Sequence, residues 1–285
     1  MTHPRFPEAL LSVSELESML GEPRLVILEV KLKPVGPSAA SAPESASARI
    51  PGARIFDLDG AFSDHAQSLP HMMPGPAHFE REVRKLGINR DSVVVVYDRV
   101  GLYSSPRAWW MFRAMGHAQV AVLDGGLPAW VEAGHPTAQE PERIEREGDF
   151  VAAPTGKAFC DAAAVERALE DASCAVIDAR SQRRFEGLDP EPRAGLRQGH
   201  MPNAVNLPFT DVQVKGYAKS GSELAALFES RIGSRRRLVF SCGSGVTACV
   251  DALAATLAGY SDIQVYDGSW SEWALPSTRP VIQTT

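Results

Sequence analysis

The chain has 285 residues, 44% hydrophobic and 22% charged, which is enough apolar material for one or two ordinary globular cores. Its net charge of −6 argues against a nucleic-acid binder, because phosphate contacts need a basic face. No apolar run approaches the roughly 20 residues of a membrane helix. The start Met1-Thr2-His3-Pro4-Arg5 is not followed by a signal-peptide stretch, and Cys160, Cys174, Cys242 and Cys249 show neither C-x-x-C nor His-rich metal spacing, so a reducing cytoplasm without a metal site is expected.

In chain order, Leu25 to Val30 reads as a first apolar strand, and Pro34 to Ala48, rich in Ser, Ala and Pro, as a mobile surface loop. Arg49-Ile50-Pro51-Gly52-Ala53 follows. Ser63 to Pro74 carries His65 and His71 among too many breakers for a regular element, so it reads as an irregular loop. A second strand is expected over Val93 to Asp98, then a helix with Trp109 and Trp110, then Val122-Leu123-Asp124-Gly125-Gly126 with Trp130. Thr137 to Lys157 interrupts every periodic pattern with Glu140-Pro141-Glu142-Arg143 and Ala153-Pro154-Thr155-Gly156 and reads as a link.

The second half repeats the first. Ala175 to Ala179 is its first strand, His200-Met201-Pro202-Asn203-Ala204 answers the segment at Arg49, Leu238 to Cys242 answers Val93 to Asp98, and Val265-Tyr266-Asp267-Gly268-Ser269 with Trp273 answers Val122 to Gly126 with Trp130. Strands alternating with helices imply an α/β fold, two tandem domains each with a mostly parallel sheet flanked by helices. The expected division is 1–138, a linker at 139–157, and 158–285. The interval from Pro51 to Asp98 is longer than that from Pro202 to Cys242, and the excess falls in the irregular loop, which could reach the other domain's site.

Cys242 stands where a strand gives way to Gly243-Ser244-Gly245-Val246-Thr247-Ala248 and an alanine-rich helix. A thiol there meets unpaired N–H groups and the positive end of a helix dipole, and both favour thiolate. A cysteine at a strand end can equally be a small buried hydrophobe; the two glycines, which let a loop turn its N–H groups inward, favour the reactive reading. The first copy has Asp98 at this position, so only the second carries a nucleophile.

These tracts, together with Arg184-Phe185-Glu186-Gly187, Pro190-Glu191-Pro192-Arg193, Gly199-His200-Met201-Pro202, Tyr266-Asp267-Gly268-Ser269-Trp270 and Gly101-Leu102-Tyr103-Ser104-Ser105-Pro106-Arg107, resemble the two-domain rhodanese-like sulfurtransferases, nearest the branch that uses 3-mercaptopyruvate. The resemblance runs from about Ser14 to Trp273. Arg49 departs from it, standing where many relatives have histidine.

The resemblance implies that Cys242 takes a sulfur atom from a small-molecule donor, holds it as a persulfide, and passes it to cyanide or a thiol acceptor such as thioredoxin, with no cofactor. Gly243, Gly245, Val246 and Thr247 would cradle the anion, and Arg184 and Arg193 would bind the donor carboxylate, although arginines beside Glu186, Asp189 and Glu191 also suit surface ion pairs. Neutral Gly243 and Ser244 stand where thiosulfate-using relatives have basic side chains. Ser244, His71 and Asp59 match the family's proton relay, with Asp64 a rival to Asp59.

Other residues have weaker implied roles. Tyr103 could close the pocket entrance or simply pack. Asp178 and Arg180 are expected to pair and brace the loops, Trp270 and Trp273 to seal the active loop, and Trp109 and Trp110 to lie in the first core. His65 is expected exposed, and Cys249 buried or in a regulatory disulfide. Alternatives to the mercaptopyruvate reading are a thiosulfate:cyanide sulfurtransferase and a persulfide carrier with little turnover. A cysteine phosphatase is disfavoured, since Ala248 stands where its phosphate-holding arginine would be.

Overall fold

The computed structural model describes residues 9–32 and 48–283. The amino-terminal start and the loop expected at Pro34 to Ala48, Ala48 excepted, lie outside them. The first half runs β1 (Leu10–Leu11), α1 (Val13–Met19), β2 (Leu25–Lys31), β3 (Ala53–Asp57), α2 (Pro76–Lys85), β4 (Val93–Tyr97), α3 (Ser105–Ala114), β5 (Val120–Leu123) and α4 (Gly126–Glu132). The second runs β6 (Phe159–Cys160), α5 (Ala162–Glu170), β7 (Cys174–Asp178), α6 (Gln182–Glu186), β8 (Val205–Asn206), the hairpin β9 (Gln213–Val214) and β10 (Tyr217–Ala218), α7 (Gly221–Ile232), β11 (Arg237–Ser241), α8 (Ala248–Leu257), β12 (Asp262–Tyr266) and α9 (Ser269–Trp273). Strand ends fall within a residue of the expected ones, as fraying at termini allows.

Both halves build the same five-stranded parallel sheet, in the orders β1-β5-β4-β2-β3 and β6-β12-β11-β7-β8. A parallel sheet covered on both faces needs strands apolar throughout, and all five residues of Val93-Val94-Val95-Val96-Tyr97 are buried. One face of the first sheet packs Leu16, Ile27, Leu123 and Trp130, while Phe56, Phe62, Phe79, Phe112 and Phe150 form an aromatic cluster. In the second half Val165, Val176, Val239, Tyr266, Trp270 and Trp273 make the equivalent core.

The repeat extends to single hydrogen bonds. Trp130 Nε1 donates to the Pro136 carbonyl at 2.8 Å and Trp273 Nε1 to that of Pro280 at 2.9 Å. Arg49 bridges Ala138 as His200 bridges Ile282, so the departure at Arg49 keeps the backbone contact of its counterpart. Its Nε also lies 3.8 Å from Glu29. Trp109 and Trp110 are both buried in the first half.

The chain forms two compact units, each with its own core. One comprises Met1–Phe62, Pro74–Thr155 and Lys215–Tyr217; the other comprises Ser63–Met73, Gly156–Val214 and Ala218–Thr285. Ser63–Met73, which precedes β4 in sequence, thus belongs with the second sheet. Much of the segment read as a link is tied to the first: Glu142 N–H donates to Ala53, Gly148 to Arg84 and Ala153 to Met115.

Candidate active site

β11 is the central strand of the second sheet, and Cys242 follows its carboxyl end, where open parallel sheets leave their ligand crevice. The Cys242 side chain is buried. Two carbonyls anchor the loop behind it: Cys242 C=O accepts from Trp270 N–H at 3.0 Å, and Gly243 C=O from Ser271 N–H at 2.9 Å and Ser271 Oγ at 2.6 Å. Gly245 takes a positive φ of 74°, and the ten-residue helix α8 begins at Ala248. Of the other thiols, burial pushes Cys160 up to about 12 and raises Cys174, so neither is a thiolate at neutral pH. Cys249 is fully buried with its Sγ on the Gly245 carbonyl at 3.3 Å.

The matching loop of the first half already holds an anion. Asp98 Oδ2 accepts from the N–H groups of Tyr103, Ser104 and Ser105, each at 2.9 Å, and from Ser105 Oγ at 2.8 Å, while Oδ1 accepts from Val100 N–H at 3.0 Å. A strand-to-helix loop of this build therefore receives a carboxylate in the first copy. Tyr103 contributes its N–H there and its ring is half-buried.

Ser244, His71 and Arg193 meet. His71 Nδ1 lies 2.9 Å from Ser244 Oγ, and Arg193 Nη2 donates to the same oxygen at 3.4 Å. Arginine can only donate, so this leaves the serine proton available to Nδ1 of a neutral His71. His71 sits at φ 59°, a conformation costly for a residue with a Cβ, and the neighbouring Met73 N–H is fastened to Asp267 Oδ2 at 2.8 Å. Asp64 Oδ1 accepts from Ala66 N–H at 3.0 Å and Oδ2 from Gln67 Nε2 at 2.9 Å. Asp59 is half-buried in the turn after β3, within the first unit. His65 is exposed.

Arg184 and Arg193 converge on the loop: a Cβ placed on Gly243 would lie 3.3 Å from Arg184 Nη2 and 3.9 Å from Arg193 Nη1. Gly243 keeps both guanidinium groups close to the backbone. Behind them, fully buried Arg180 donates to Asp178 at 2.6 Å, to Glu191 at 2.8 Å and to the Gly199 carbonyl at 2.8 Å, and stacks 4.0 Å over Trp270. Burial works against its charge, and the two carboxylates more than offset that, raising its pKa.

Glu191, Ser269 and Asp251 were not singled out as site residues by sequence reasoning. Ser269 takes φ 48°, and its hydroxyl accepts from Cys242 N–H at 3.2 Å and donates to Tyr266 C=O at 2.8 Å. Its signal was the repeat, since the first half has Gly126 there, at φ 56°. Asp251 is completely buried in α8, neither carboxylate oxygen has a hydrogen-bond partner, and burial foremost, then the charges of Cys242, Asp178 and Asp211, push its carboxyl well above the usual range. Among the described residues, no group of three or more His, Cys, Asp or Glu side chains is placed to hold a metal, and no helix is long and apolar enough to cross a membrane.

The family model for the rhodanese-like domain matches this chain twice, over residues 12–133 and 161–275. The chain belongs to the rhodanese-like family. Human 3-mercaptopyruvate sulfurtransferase is 40% identical over 286 residues, covering 96% of this chain and 94% of the relative. Mouse thiosulfate sulfurtransferase is 42% identical over 238 residues, 81% of this chain and 80% of its own. Among solved structures, the rhodanese fold of SseA from Escherichia coli, a 3-mercaptopyruvate enzyme by its description, superposes with a TM-score of 0.81 at 35% identity, covering 93% of this chain and all of that one. Rhodanese-like relatives of both donor classes thus match at similar identity, and the donor has to be argued from the pocket.

Proposed function

We propose that this protein is a sulfurtransferase that moves sulfur from 3-mercaptopyruvate through a Cys242 persulfide to a thiol or cyanide, releasing pyruvate. The observation that carries this reading is the convergence of Arg184 and Arg193 on Gly243 and Ser244 beside the buried thiol. A 2-oxo carboxylate is planar and suits guanidinium forks. Cys242 thiolate attacks the donor sulfur; the C–S bond breaks, its electrons form the enolate of pyruvate, and Cys242 keeps the outer sulfur. The proton that leaves the donor thiol passes to the enolate, and Ser244 with His71, hydrogen-bonded to each other at 2.9 Å, is the relay. Loop N–H groups from Gly243 to Thr247 stabilise the persulfide anion, the service that Tyr103 to Ser105 give Asp98. A thiol such as reduced thioredoxin, or cyanide, removes the outer sulfur and restores the thiolate, in a cytoplasmic setting.

The test compares both donors in a cyanide-dependent thiocyanate assay with pyruvate release followed in parallel. A preference in kcat/KM for mercaptopyruvate is expected. A clear preference for thiosulfate would sink the assignment, and persulfide formation without steady-state pyruvate release would leave a carrier instead.

A further inference from the structure

Glu191 lies behind the donor arginines with its side chain 1% exposed. Its Oε1 accepts from Arg180 Nη1 at 2.8 Å and its Oε2 from Arg184 Nη2 at 2.5 Å, with Arg184 Nε at 3.4 Å from Oε1. One edge of the Arg184 guanidinium, Nε with Nη2, is thereby held by a carboxylate of the protein, and that same Nη2 also faces Gly243. Asp178 is engaged by Arg180, and the Arg183–Asp189 pair is exposed and set apart from this buried group.

From this arrangement we propose that Glu191 determines donor specificity: its charge lowers the positive potential of the pocket by one unit, which favours a monoanionic donor over a dianionic one. The proposal rests on the reading of Arg184 as a donor-binding group. The physical reason is that an electrostatic interaction scales with the charge of the ligand. Removing one fixed negative charge stabilises a bound dianion by twice what it gives a monoanion, whatever other groups surround the site. Thiosulfate is a dianion. Mercaptopyruvate near pH 7 carries one full charge, on its carboxylate, because pH 7 lies below the ordinary thiol pKa of about 8.5 and the thiol stays mostly protonated.

The experiment measures kcat/KM for both donors in wild type, Glu191→Gln, Glu191→Asp and Arg184→Ala, with stoichiometric alkylation of Cys242 as the check of folding. Glu191→Gln should raise kcat/KM for thiosulfate on the order of tenfold above wild type, and the gain should shrink at high salt. Glu191→Asp, which keeps the charge, should show no such gain. A residue that merely steadied Arg184 would lower mercaptopyruvate use without improving thiosulfate, so an unchanged or reduced thiosulfate value in Glu191→Gln overturns the proposal. If Arg184→Ala harms both donors equally, the carboxylate reading itself fails; if Arg184→Ala is selective and Glu191→Gln gives no gain, only the role of Glu191 fails. A measurement on wild type stands apart from any folding defect: pyruvate should protect Cys242 from iodoacetamide at lower concentration than sulfate does, and the reverse order counts against the proposal.

Discussion

At the scale of single residues, Cys242 is the thiol that our reading makes the nucleophile, and the other three stand in settings that disfavour reaction. Cys160 and Cys174 are held protonated by burial, and Cys249 is enclosed on the Gly245 carbonyl. Cys242→Ser should therefore abolish both pyruvate release and the sulfur adduct seen by intact mass, and substantial residual turnover would remove Cys242 from the mechanism. Arg184→Ala should raise KM for mercaptopyruvate roughly 10- to 100-fold, from loss of a charge-assisted hydrogen bond, with a smaller effect on thiosulfate. Asp251 makes a different prediction. Its folded pKa lies well above the ordinary aspartate value, so the native state holds a proton that the unfolded chain has released, and stability falls as pH rises above that ordinary value. Asp251→Asn should flatten this decline in denaturation curves taken from about pH 4 upward, and an undiminished decline would remove Asp251 as its cause.

At the scale of elements, the junction between β12 and α9 shows how one backbone shape serves two copies. Gly126 adopts the left-handed conformation freely, and a Cβ there would come 2.5 Å from the Asp98 carbonyl. Ser269 adopts the same conformation against its preference and returns two hydrogen bonds, one of them to Cys242 N–H. Strain of about 1 kcal/mol and hydrogen bonds of about 1 kcal/mol each are then in opposition. Ser269→Gly should leave the unfolding free energy within about 1 kcal/mol of wild type, whereas Ser269→Ala, which keeps the strain and loses the bonds, should cost about 1–3 kcal/mol. Urea titration distinguishes them, and Ala equal to or better than Gly would contradict the account. The loop Ser63–Met73 is the other such element: its breakers forbid regular structure, so its course is set by anchors such as Met73 on Asp267.

For the whole molecule, duplication has left two cores of the same topology and, in our reading, one nucleophile. In the first copy Asp98 fills its own cradle with five hydrogen bonds. Asp98→Ala should lower stability by about 2–4 kcal/mol, since four N–H groups, those of Ser104 and Ser105 buried, lose their acceptor, while the protein that remains folded should still form the Cys242 persulfide. Unchanged stability would mean that the carboxylate is not what organises that loop. By itself the sequence determined the family and the α/β repeat, and it offered Cys242 and the arginines as candidates, because continuous apolar runs, glycine-bounded turns and a repeated motif are local signals that survive in one dimension. Only the tertiary structure decided that the loop carrying His71 belongs with the second sheet and puts Nδ1 on Ser244, that Asp251 is a buried carboxyl with no partner, and that Glu191 holds Arg180 and Arg184 together. Burial and ion pairing are set by which segments pack against one another, and an acidic residue beside arginines reads the same in sequence whether it is solvated on a surface or enclosed behind a donor pocket.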